Sequence, residues 1–280
     1  MTLRHSLAHA SATLEGAGVA SSRLAAETLL RRVLDRDRAY LYAHPEDALT
    51  PQQQARLDAW TARHAAGEPL QYITGVQEFY GREFRVTPAV LIPRPETELA
   101  VEAALERLPR EGPSRVVDVG AGSGCIAITL ALERPGAAVT AVDISEAALA
   151  VARANAARLG AAVSFVRGDL LAPLDGGWDL IISNPPYVAE AELAALAPGV
   201  RDHEPRAALV AGPLGTEIYA RLIPQAARAL RPGGWLVLEL GYAAATAVRP
   251  MLGAGWDAAA TRPDLQGWQR VLLARKPPLK

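Results

Sequence analysis

Asn184-Pro185-Pro186-Tyr187 places an amide, two prolines and a phenol directly after Asp179–Ser183, an apolar run that reads as the end of a buried strand. Successive prolines donate no backbone hydrogen bonds and hold φ at about −65°. The first also keeps Asn184 out of the helical region. The product is a stiff, extended turn at a strand's carboxyl end, where open α/β sheets bind ligands. It carries an amide side chain before the prolines and an aromatic ring after them, with no His, Cys or Lys within the motif. As purely structural residues, the same four would make a rigid strand-to-loop turn with Tyr187 as packing.

A second constellation precedes it. Val116-Val117-Asp118-Val119-Gly120-Ala121-Gly122-Ser123-Gly124 reads as a strand entering a glycine-rich turn before a helix over Cys125–Leu132. Glycine there permits positive φ and close approach of a ligand to the main chain. The spacing is G-x-G-x-G, not the G-x-G-x-x-G of the dinucleotide fingerprint, and alone it is a weak signal. Acids strengthen it. Asp118 lies in the strand end, Asp143, followed by Ile144, ends the second strand where it can hold ribose hydroxyls, and Asp169 follows the third. Asp169 can accept from an adenine amino group while Leu170 packs on the ring. A nucleoside held by carboxylates, with no phosphate-binding lysine, points to S-adenosyl-L-methionine over NAD or ATP. Asn184 borders the same site. The plain alternative is three strand-end acids that cap helices. Cys125 has no evident base and reads as a small packing residue.

The elements that must position these residues follow from periodicity. From Arg115 onward strands alternate with helices: Arg115–Val119, Ala138–Val142, Val163–Val166, Trp178–Ser183, Trp235–Glu239 and Val271–Ala274, with a weaker strand near Trp256–Ala260. The economical fold is α/β, a mostly parallel, doubly wound sheet. Residues 1–75 read as a small helical bundle: Leu3, Leu7, Ala10 and Leu14 at helical spacing, a helix capped by Ser21 or Ser22, a short one over Asp37–Tyr42, and one opened by the Thr50-Pro51-Gln52-Gln53 capping box. Gln71–Gly75 and Glu78–Val86 are aromatic and β-prone and predict a hairpin turning at Gly81. Val90–Glu98 then forms a proline-stiffened connector into a helix from about Glu96 to Leu108. Its Arg94, Glu96 and Glu98 are either a solvated charge cluster or the mouth of the site. The expected domains are 1–75, a connector over 76–95, and 96–280.

With 280 residues, 50% apolar, a net charge of −1 and one cysteine, the chain reads as globular, without a disulfide framework or a cysteine-rich zinc site. No apolar run is long enough to span a membrane, and a reducing cytoplasm is the expected location. His5 and His9 lie four apart but have no carboxylate or cysteine at matching spacing, and no metal is expected. His203 is not expected to be catalytic. Residues 1–75 carry eight acidic and eight arginine side chains, which argues against phosphate tracking.

The glycine turn and its three acids resemble the class I methyltransferase pattern, and Asn-Pro-Pro-Tyr in that class goes with methylation of planar nitrogens: exocyclic base amines or glutamine amides. In that role the Asn184 side-chain oxygen and the Pro185 carbonyl would accept both N–H bonds of the planar NH2, and Tyr187 would pack against it. Such a nitrogen is a poor nucleophile because its lone pair is delocalised, so alignment is what the turn would offer. Once methylated it is cationic and strongly acidic, and no strong general base is needed. The whole chain resembles the bacterial release factor glutamine methyltransferases, the PrmC/HemK family. The segments that carry this are Gly67–Gly75, Leu91–Glu98, Asp118–Gly124, Asn184–Tyr187 and Glu204–Leu209. The resemblance implies a Rossmann-like domain with a seven-stranded, mostly parallel sheet whose last strand is antiparallel. It implies a cofactor site of Asp118, Gly120, Ala121, Gly122, Ser123, Gly124, Asp143, Ile144, Asp169, Leu170 and Asn184, yielding S-adenosyl-L-homocysteine. Asn184, Pro185 and Tyr187 would be catalytic, with Pro186, Arg94 and Glu98 also on the substrate. The implied acceptor is the glutamine of the Gly-Gly-Gln motif in class I peptide chain release factors, modified by a monomer whose helical domain grips the factor, and the implied consequence is on translation termination. The rival reading is an N-methyltransferase of a nucleic-acid base, DNA adenine or rRNA guanine. Two departures stand out: Ala211–Thr216, where relatives carry a glycine-rich segment with an acidic residue, and Leu170, where some have an aromatic. A loop variation without chemical effect is expected at the first, and weaker adenine stacking at the second.

Overall fold

The computed structural model describes residues 1–242 and 244–278. It divides into two compact units, Met1–Val76 with Ala197–His203, and Gln77–Leu196 with Glu204–Lys280.

The first unit is helical. Helices α1 (Leu3–Gly16), α2 (Ser22–Leu34), α3 (Arg38–Ala43), α4 (Pro51–Ala65) and α5 (Leu70–Thr74) bury one core of Leu7, Leu14, Leu29, Leu30 and Leu57. The capping box at α4 forms as expected: Thr50 Oγ1 accepts the Gln53 N–H at 3.2 Å and Gln53 Oε1 accepts the Thr50 N–H at 2.9 Å. Two local expectations fail. Ser21 sits at φ +54°, so its hydroxyl makes no cap bond to α2. Gln71–Thr74 is not a strand but helix α5. Its backbone closes helical bonds, the Ile73 N–H to the Pro69 carbonyl at 3.2 Å and the Gly75 N–H to the Gln71 carbonyl at 2.7 Å, and Gly75 ends the turn in the left-handed conformation at φ +78°.

The second unit begins with the hairpin β1 (Val76–Phe79) and β2 (Arg82–Arg85). Its two turn residues, Tyr80 and Gly81, both have positive φ, the geometry whose twist matches the flanking strands. Helix α6 (Pro95–Leu105) follows, and then the sheet: β3 (Ser114–Val119), α7 (Cys125–Glu133), β4 (Ala137–Asp143), α8 (Glu146–Leu159), β5 (Val163–Arg167), β6 (Trp178–Ser183) and the short β7 (Val188–Ala189). Helix α9 (Pro198–Arg201) belongs to the first unit, and α10 (Arg206–Leu209) returns to the second. The chain ends through β8 (Val210–Gly212), α11 (Glu217–Ala229), β9 (Leu230–Glu239), α12 (Ala245–Val248), β10 (Ala259–Pro263) and β11 (Gln269–Arg275).

Seven strands form one sheet in the order β10-β11-β9-β6-β3-β4-β5. Strands β3, β4, β5, β6 and β9 run parallel, and β11 is antiparallel to both its neighbours. The central strands bury apolar side chains on both faces because helices cover both. Alternate residues divide between two cores: Val116, Leu180, Ile182 and Val237 on one face, Val117, Ile181, Leu236 and Leu238 on the other. The weak strand expected at Trp256–Ala260 is shifted to β10, since Trp256 packs on a core instead of pairing. The chain order reverses direction between β3 and β6, so their carboxyl ends frame the crevice of a topological switch point. The glycine turn leaves one, and Asn184 leaves the other.

Candidate active site

A cavity of about 390 Å³ occupies that crevice. It is lined by Gly120, Ala121, Gly122 and Ser123 from the turn after β3, Asp143 and Ile144 after β4, Asp169 and Leu170 after β5, and Asn184 and Pro186 after β6. Arg94 and Thr97 from the start of α6 close another side. Residues distant in sequence, read separately as nucleoside-binding and acceptor-binding, thus share one space.

The turn is held from within. Asp143 Oδ2 accepts the Gly122 N–H at 2.9 Å and its Oδ1 accepts the Ser145 N–H at 2.8 Å. Both oxygens are therefore fixed, with lone pairs left for a ligand. Gly124 takes φ +82°, and a Cβ there would lie 2.8 Å from Ile128 and 3.1 Å from Ala152. Glycine is required for α7 to close on α8. Buried Asn155 of α8 completes the support. Its Oδ1 accepts the Arg85 N–H at 2.8 Å, and its Nδ2 donates to the carbonyls of Arg85 and Ser123, both at 2.9 Å. Ser123 Oγ lines the cavity, buried and without a partner among the described residues.

Asp118 lies elsewhere than expected. It is fully buried and does not line the cavity. Its Oδ2 accepts the Ala127 N–H at 3.1 Å, its Oδ1 has no partner among the described residues, and burial pushes its carboxyl up to about 8. The role it fills is to anchor the first turn of α7. Asp169 does line the cavity, but its carboxylate pairs with Arg221 of α11. Leu170 takes φ +52°, an uncommon conformation for a residue with a Cβ. Cys125 borders the cavity with its thiol pushed up by burial to about 12, as suits a packing residue.

On the acceptor side, Ser183 Oγ donates to the Val119 carbonyl at 2.6 Å and ties the ends of β6 and β3 together. Asn184 Nδ2 donates to Thr97 Oγ1 at 3.1 Å. Pro185 is buried and, like Gly124, is not among the residues lining the cavity. Tyr187 is also outside the lining. Its ring stacks over Gly241, where a Cβ would lie 2.7 Å from it, and burial lifts its phenol to about 12. The ring therefore props the turn from behind. The turn is braced further by parallel pairing of β7 with β8, so Ala211–Gly212 of the departing segment belongs to a strand, not to a free loop.

Arg94 lines the cavity while its guanidinium binds Glu204. Glu204, buried, also accepts the Ile92 N–H at 3.1 Å, which makes it the clamp on the proline connector. Glu98 does not reach the cavity: it accepts the Tyr80 N–H at 2.7 Å and secures the hairpin turn. Thr97, Glu204, Arg221 and Glu239 carry no assignment from sequence. Thr97 and Glu204 lie inside quoted motifs, and a buried acid at a strand end was the available signal for Glu239.

Residues 94–198 match the methyltransferase small domain family, and residues 5–75 match the PrmC N-terminal domain. The fold is shared with a methyltransferase from Pyrococcus furiosus, TM-score 0.52 at 19% identity, covering 81% of this chain and 100% of that one. It is shared too with the 16S rRNA N2 G1207 methyltransferase of T. thermophilus in complex with AdoMet and guanosine, TM-score 0.55 at 24% identity, covering 72% and 49%. Fold and matched domain thus define a methyltransferase. The release factor glutamine methyltransferase of Koribacter versatilis is 52% identical over 99% of both chains, and that of Geobacter sulfurreducens 46% identical over 92% of this chain and 91% of its own. The chain belongs to the release factor glutamine methyltransferase family.

Proposed function

We propose that the protein transfers the methyl group of S-adenosyl-L-methionine to the side-chain amide nitrogen of the glutamine in the Gly-Gly-Gln motif of class I peptide chain release factors, modulating translation termination. The observation that carries the reading is that Asn184 and Pro186 line the same cavity as the glycine turn, Asp143 and Asp169. The residues present fit the cofactor: a turn with close-approaching backbone, an unpartnered Ser123 hydroxyl and two carboxylates in a space of about 390 Å³. When bound, that group supplies a methyl on a sulfonium sulfur and leaves as S-adenosyl-L-homocysteine.

The remaining work falls to the chain. Gly120–Ser123 admit the ligand against the backbone, Asp143 holds the ribose hydroxyls, Ile144 and Leu170 flank the base, and Asp169 accepts from its amino group. Asn184 Oδ1 and the Pro185 carbonyl receive the two amide N–H bonds, which aims the nitrogen's lone-pair face at the methyl; the methylated nitrogen, cationic and strongly acidic, then releases one of those protons to solvent. Restricting the reactants in this way is worth up to roughly 7–11 kcal/mol in favourable systems. Tyr187 acts on the acceptor indirectly, by holding the turn against Gly241. Residues 1–75 grip the release factor, 76–95 connect, and 96–280 catalyse, in a cytoplasmic monomer.

The test supplies labelled cofactor with a release factor, with the same factor carrying a substituted motif glutamine, and with DNA or rRNA. Label on the intact factor alone is expected. Label on nucleic acid, or equally on the altered factor, overturns the reading.

A further inference from the structure

We propose that Thr97 is a positioning residue that sets which way the Asn184 amide points, and that Glu239 sets the direction of the Thr97 hydroxyl. The proposal rests on the acceptor role of Asn184 given above and deepens it.

Thr97 lies in the first turn of α6, 2% exposed, with its Oγ1 3.1 Å from Asn184 Nδ2. The Glu239 carboxylate lies beside the same hydroxyl, which helps to hold it ionised. Glu239 ends β9, 1% exposed, and its Oε2 is buried without a hydrogen-bond partner among the described residues, an acceptor for which the Thr97 hydroxyl is the neighbouring donor. A hydroxyl has one proton to give, and an ionised carboxylate can only accept. The Thr97 proton must therefore go to Glu239. Only lone pairs remain to face Asn184, so Asn184 must present its NH2 to Thr97. Its Oδ1 is left as the group offered to the cavity, an acceptor for an incoming NH2. With the amide reversed, two NH2 groups would meet and the acceptor nitrogen would lose its orientation.

The relay has a protonation switch. Burial pushes the Glu239 carboxyl up to about 7. Arg270 of β11 and Arg94 pull it down, and Glu96 pushes it up. Tyr187, Tyr219 of α11 and Cys125 of α7 also face it, and burial raises all three well above neutrality, Tyr187 and Cys125 to about 12. Protonated Glu239 becomes a donor to Thr97 Oγ1, which frees the Thr97 proton to turn toward Asn184 Oδ1 and favours the reversed amide. Turnover therefore rises with pH through about 7.

The experiment compares Thr97→Val, Thr97→Ser, Glu239→Gln and Asn184→Ala, using release factor and labelled S-adenosyl-L-methionine, with cofactor affinity by calorimetry and melting temperature for each. Thr97→Val keeps the shape and removes the hydroxyl that holds Asn184 and faces Glu239. Its kcat should fall on the order of tenfold, as loss of one orienting bond predicts, with cofactor affinity unchanged, and Thr97→Ser should recover most of the rate. Glu239→Gln, which can donate like the protonated acid, should turn over at the wild type's low-pH rate and show no acid limb. Full kcat in Thr97→Val beside an inactive Asn184→Ala overturns this inference and leaves the acceptor reading intact. Activity in Asn184→Ala overturns the acceptor reading itself. If Thr97→Val fails to fold, the pH profile of Glu239→Gln decides: an acid limb identical to wild type overturns the relay.

Discussion

The two sides of the cavity are built by different means. Around the glycine turn the chain satisfies itself, Asp169 with its Arg221 partner lying apart from it: Asp143 takes backbone N–H groups on both oxygens, and Asn155 bonds to main-chain atoms. On the acceptor side the working group hangs from side chains, Asn184 on Thr97 and Thr97 on Glu239. Backbone scaffolding fixes a shape whatever the protonation state. Side-chain scaffolding fixes a direction, and protons can reverse it. The difference suits the two ligands, since a nucleoside is recognised by its outline and an NH2 acceptor must be presented by its lone pair.

The largest break in this comparison is Asn184→Ala. Loss of the orienting acceptor should lower kcat by about three orders of magnitude, within what alignment can supply, while cofactor affinity stays near wild type by calorimetry. Asp143→Ala should do the reverse. Cofactor affinity should fall roughly 10–100-fold, the worth of a charged hydrogen bond, with kcat at saturation changed much less. Asp118→Asn probes the layer beneath the turn. The folded state holds the Asp118 proton more tightly than the unfolded chain does, so stability from this group is full below about pH 4 and is lost as pH rises through about 8. The Asn variant keeps an oxygen for Ala127 and should lose less melting temperature than wild type between those limits. Smallest of all, Glu98→Gln retains an acceptor for the Tyr80 N–H, and its KM for release factor should stay within about twofold of wild type, as for substitutions outside a site. A large rise there would put Glu98 back on the substrate.

Sequence carried the architecture well where one physical signal dominated. Apolar runs at Val116–Val117 and Leu180–Ile182 require strands covered on both faces, and Thr50 with Gln53 specifies a helix start by its own chemistry. It failed where tertiary context decides. Gln71–Thr74 has strand-like residue types, yet its backbone closes helical bonds back to Pro69 and Gln71 and stops at Gly75. In the site, motif residues were legible as a set but not by direction. Asp118 and Asp143 look equivalent in the sequence, and only the structure turns one inward to α7 and the other to the cavity. Tyr187 reads as an acceptor platform and instead lies on Gly241. Thr97 was silent because its importance lies in a partner 87 positions away.

Asn155 has a bearing on how this chain can change over time. Every atom it binds belongs to the main chain of Arg85 or Ser123, and a carbonyl or amide is the same whatever side chain it carries. Aspartate at 155 would lack the two donors and leucine all three bonds, so a replacement strands buried backbone groups. No substitution at another site can restore what is lost, because there is no partner side chain to alter. Position 155 is therefore expected to be intolerant in isolation and to show no covariation, in contrast to side-chain pairs such as Arg153 with Glu146, where exchange of both partners can be accommodated together.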